Sequence, residues 1–86
     1  MKGDSQAIHT GVTRLSYART MVDTICSRIS SAMSEAGRSN SNPKFKKCVA
    51  KSEEVVKQMR QSAQELARIG RTLERLEYII RELEEN

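Results

Sequence analysis

The sequence has no tryptophan, one proline, one histidine, two cysteines and three aromatic side chains in 86 residues. Each shortage narrows what the chain can do. One imidazole and two thiols provide neither a zinc-ligand spacing nor a nucleophile with its base, and the four scattered glycines form no phosphate-cradling loop. The reading is therefore non-enzymatic, with no catalytic or metal residues, no cofactor and no small-molecule substrate. No apolar run approaches the roughly 18 residues that a membrane span needs, and Met1-Lys2-Gly3-Asp4 leads into polar residues without a signal-peptide hydrophobic block. A soluble chain without a Sec-type signal, cytoplasmic at synthesis, is expected. One-sided charge is also missing: 15 Lys and Arg stand against 11 Asp and Glu, giving +4. That excess is modest and mixed, and with Tyr17, Phe45 and Tyr78 far apart it does not favour nucleic-acid binding.

A chain this short buries only a modest part of its surface alone, so its 37% hydrophobic residues imply that some apolar surface needs a partner chain. The one dense cluster of helix breakers is Gly37-Arg38-Ser39-Asn40-Ser41-Asn42-Pro43. Ala36-Gly37 reads as a helix end and Asn42-Pro43 as a helix start, because Asn accepts from first-turn amides and Pro is tolerated at the first helical position. At the front, Asp4 or Ser5 is the expected N-cap. The whole chain thus reads as one helical hairpin, with a helix over about 5–36, a turn over 37–42 and a helix over about 43–85.

The second arm places apolar or small residues at 45, 48, 52, 55, 59, 62, 66, 69, 73, 76, 80 and 83, in alternating steps of three and four. This is a heptad seam, the pattern of helices that supercoil against partners. Leu66, Ile69, Leu73, Leu76, Ile80 and Leu83 are its partner-binding anchors. A flanking row, Val49, Val56, Ala63 and Gly70, widens the stripe. Gly70 predicts close approach of another helix backbone or, failing that, a locally weak helix. The first arm repeats the design with Ile8, Gly11, Leu15, Ala18, Val22, Ile25, Ile29, Ala32 and Ala36, flanked by Val12, Cys26 and Met33. A row of hydroxyls from Thr13 to Ser34 reads as its solvated face. Lys44, Lys46, Lys47 and Lys51 surround Phe45 at the start of the second helix and read as a solvated helix start.

Six residues of turn force the arms to fold back antiparallel. At 1.5 Å per residue the arms span roughly 47 and 63 Å, so the last ten or so residues of the second are expected to lack cover from the first. Completion of a four-helix bundle or coiled coil, as a homodimer or as a heterodimer with another helical protein, would cover them. Counting from the turn puts Cys26 opposite about residue 54 and Cys48 opposite about residue 32. The resulting offset, about 9 Å, is too long for an intrachain disulfide; both cysteines are expected as buried free thiols on or beside the seams, with an interchain bridge in a dimer as the lesser alternative.

The hairpin, its size and the motif Tyr78-Ile79-Ile80-Arg81-Glu82 resemble the small bacterial helical-hairpin proteins of type VII (WXG-type) secretion. Tyr78 and Glu82 match that superfamily's Tyr-x-x-x-Asp/Glu export signal, while its Trp-x-Gly turn is absent, as in a divergent branch. The resemblance implies an adaptor or secreted partner that pairs with itself or with a larger exported protein, leaving the cell without a Sec signal peptide. The Ser and Asn before Pro43 are also similar to the turn of type III secretion needle subunits. A cytoplasmic structural or regulatory coiled-coil module is the alternative from another class.

Overall fold

A computed structural model describes residues 3–85. The chain is an all-α hairpin of two helices, α1 (Asp4–Arg38) and α2 (Pro43–Glu85), with no strand among the described residues. The turn follows from its side chains. The Lys44 amide donates to Asn42 Oδ1 at 2.8 Å and the Asn42 amide to Asn40 Oδ1 at 3.0 Å, so Asn42 caps the first turn of α2 ahead of Pro43. Gly37, expected just past the end of the first helix, lies inside it. α1 runs on to Arg38, a basic residue at the negative end of the helix dipole, and the Ser39 hydroxyl donates to the Ala36 carbonyl at 3.4 Å. Among the described residues the only positive φ belongs to Gly3, at 99°, immediately before α1.

The heptad positions separate into lines. On α2, Phe45, Ser52, Met59, Leu66, Leu73 and Ile80 are half-buried, and so is the neighbouring line of Val49, Val56, Ala63, Gly70, Glu77 and Glu84, whose Val56 and Ala63 are fully buried. The third line, Cys48, Val55, Ser62, Ile69, Leu76 and Leu83, is exposed throughout. The hairpin therefore packs through the row read as a flank, and the larger apolar row faces out. α1 makes the same choice over its second half, where Cys26 and Met33 turn inward and Ile25 and Ala32 outward. Side-chain size accounts for it. Successive residues on a helix differ by 100°, so either row can share the seam with the common line, and the short side chain of Ala63 in the inward row lets the other helix come nearer there.

Contacts group the start of α1, through Thr20, with the end of α2, from Gln64; Met21–Ala63 form a second group. In the second group Cys26 is fully buried, with its thiol 3.9 Å from the Val56 carbonyl, within two residues of the position counted from the turn. Both cysteines are free, as expected, but only Cys26 is buried; Cys48 belongs to the outward line and is exposed. The hydroxyl row is exposed, and Thr13 and Thr20 donate back to carbonyls one turn earlier.

In the first group, cover reaches the end of α2. Ser5 is buried against Glu84: its hydroxyl donates to Oε2 at 2.6 Å and its amide to Oε1 at 3.2 Å. The expected overhang is absent. Counting residues in equal steps from the turn missed this contact, in which the carboxylate of one helix end satisfies the orphan amides of the other. The N-cap of α1 is likewise supplied by Glu84 and not by Asp4 or Ser5. Gly70 also departs from expectation. No atom lies within 4 Å of where its Cβ would stand, and beside it, among Val12, Leu15, Ser16 and Leu66, lies an open pocket of about 110 Å³.

Candidate interaction surface

The six anchors read from the sequence divide between two faces. Leu66, Leu73 and Ile80 are half-buried in the hairpin seam. Ile69, Leu76 and Leu83 keep 48, 43 and 57% of their surface exposed, and Ile79, three residues after Leu76, keeps 55%. Fully burying one such side chain contributes about 1.5–3 kcal/mol, so four of them, half-open along one helix flank, are a substantial unused driving force. Their exposure comes from the direction they face and not from a shortage of α1. Continuing the line toward the turn, Val55 is 51% exposed.

Tyr78 and Glu82, four residues apart on α2, are both exposed and lie one turn from each other. Tyr78 borders an open depression shared with Arg71, Glu74, Arg75 and Ile79. Their neighbours on α2 do other work. Glu77 accepts from Arg81 at 2.8 Å through Oε2 and contacts His9 Nδ1 at 3.0 Å through Oε1, with only 13% of its side chain exposed. The Glu77–Arg81 pair, an ordinary surface ion pair by its spacing, is thus one half of a bridge that ties α1 to α2. Together with Ser5–Glu84 it gives the polar end of the inward line a partner on α1.

The contacts at Glu84 alter its proton affinity. The Ser5 hydroxyl, then the Ser5 amide, hold its carboxyl below the ordinary carboxylate value; desolvation opposes them and the Asp4 amide adds to them. These contacts were not legible in the sequence. A hydroxyl at position 5 and a carboxylate at position 84 on the weaker apolar row were the available signals, and they gain meaning only once the two helix ends meet.

Among the described residues no group of three or more His, Cys, Asp or Glu side chains is placed to hold a metal ion, and no helix is long and apolar enough to cross a membrane. Lys44, Lys46, Lys47 and Lys51 are exposed around a half-buried Phe45. The chain matches no known protein-family model, and no curated protein or solved structure is significantly similar to it.

Proposed function

We propose that this chain acts without catalysis, as a helical recognition protein: a secretion-associated adaptor or secreted partner whose α2 packs against another helical chain. One observation carries the reading. The larger of the two apolar rows on α2 faces outward, where Ile69, Leu76 and Leu83, with Ile79 nearby, stay about half exposed. Exposed side chains at Tyr78 and Glu82, on the outer surface of the same helix, support the secretion part of the reading, since an export signal must be accessible in the folded protein.

The test is release from the cell that makes it. Tyr78→Ala and Glu82→Ala should retain wild-type helicity by circular dichroism yet stay in the cell fraction while the wild-type chain reaches the medium. If the wild-type chain is never released and its deletion leaves the release of every other protein unchanged, the secretion reading fails and the cytoplasmic coiled-coil module takes its place.

A further inference from the structure

Charge is unevenly placed along this chain. From Ala36 to Ser52 there are five bases, Arg38, Lys44, Lys46, Lys47 and Lys51, and no acid, while the rest of the chain carries ten bases and eleven acids. The whole positive excess therefore sits where α1 ends, the chain turns and α2 begins. All five bases are exposed, and none takes part in an ion pair among the described residues. Lys44 and Lys51 are seven residues apart, about 10 Å along the helix at 1.5 Å per residue. That is close to the screening length in physiological salt, so the lysines act as one patch. Within the fold the cluster is unfavourable. Lys44 and Lys47, then Lys47 and Lys51, are like charges three and four residues apart, and the first turn of α2 holds no acid to answer the positive end of the helix dipole. Nothing among the described residues offsets this, whereas a negatively charged partner would.

We propose that this basic tip of the hairpin docks on the surface of an anionic lipid bilayer. Its chemistry favours lipid over nucleic acid. Four of the five bases are lysine, a compact charge suited to the diffuse field of a headgroup layer, and not the planar arginine fork that reads base edges in pairs of hydrogen bonds. The one ring in the patch, Phe45, is half-buried, so the tip presents no exposed platform for stacking on a base. Ser39, Asn40, Ser41 and Asn42 are exposed and uncharged, and no acid stands between Arg38 and Lys44. On the face of α2 that carries Lys44, Lys47 and Lys51, the side chain among them is Cys48, small and exposed, which lets the three ammonium groups approach the headgroups together. The contact is peripheral and uses neither Ile69, Leu76 and Leu83 nor Tyr78 and Glu82. It is therefore independent of the recognition reading, whose readout is release from the cell, and either can fail alone.

Each base held near such a surface contributes about fivefold to membrane partitioning. In cosedimentation the wild-type chain should bind vesicles of equimolar phosphatidylcholine and phosphatidylglycerol, fail to bind phosphatidylcholine alone, and come off as salt is raised. Lys44→Gln with Lys46→Gln and Lys47→Gln should lower the partition coefficient on the order of a hundredfold with helicity unchanged. Arg68→Gln with Arg71→Gln and Arg75→Gln removes the same charge outside the patch and should stay within a few-fold of wild type. Equal losses in the two triple variants would overturn the tip as the docking surface and leave net charge as the cause. A chain that does not sediment with the phosphatidylglycerol vesicles even at low salt would overturn docking altogether. Tighter binding to a DNA duplex than to those vesicles, at equal phosphate, would overturn the choice of lipid and assign the patch to nucleic acid.

Discussion

Glu84 shows how much one side chain at a helix end can settle. Its carboxylate accepts from the Ser5 hydroxyl and amide, so a group expected to lie free past the end of α1 supplies that helix's cap. Because its folded-state proton affinity is lowered, the stabilisation is fully present above the ordinary carboxylate value of 4.5 and is lost as pH falls through the still lower folded value. Glu84→Gln should therefore melt below wild type at neutral pH, and the gap should close on acidification below that range. A pH-independent gap in thermal melts would contradict the assignment. The two thiols report on the same scale. Cys26 is fully buried and Cys48 exposed, so a thiol reagent should modify one cysteine per native chain quickly and the second only on unfolding. Two fast thiols would mean that the helices are rotated differently from this arrangement.

Most of the element-scale design could be read from the sequence, and the part that could not has a definite cause. The break at 37–43, the Asn42-Pro43 start and the line through Leu66, Leu73 and Ile80 follow from local chemistry and period. The choice between the two neighbouring rows does not. Ranked by hydrophobicity, Ile69, Leu76 and Leu83 belong inside. The hairpin takes Val56 and Ala63 because short side chains permit close approach, and because Glu77 and Glu84 on the same row find His9 and Ser5 on α1. Ala63→Lys should accordingly cost roughly 3 kcal/mol or more, by placing an unpaired charge in the seam, whereas Ile69→Lys should change monomer stability by about 0.5 kcal/mol or less. Urea unfolding separates the two. Equal effects would refute the assignment of inward and outward rows. Gly70→Ala should raise stability by about 0.5–1 kcal/mol, since the helix gains a better former and the new methyl meets open space. A loss on the same measurement would mean that something outside the chain fills that space.

At the scale of the whole molecule, the hairpin packs through its smaller apolar row and leaves Ile69, Leu76 and Leu83 about half exposed. Which row the hairpin would take was not legible in the sequence, because both rows read as seam until the hairpin takes one. The most direct test of the recognition reading is absolute mass by light scattering across a concentration series in reductant, for the wild-type chain and for Ile69→Lys with Leu76→Lys. The wild-type mass should climb from 9.7 kDa toward twice that value, and the double variant should remain at the lower mass with its helicity intact. A wild-type chain that is fully helical and stays monomeric across the series would contradict pairing of the chain with itself through this row.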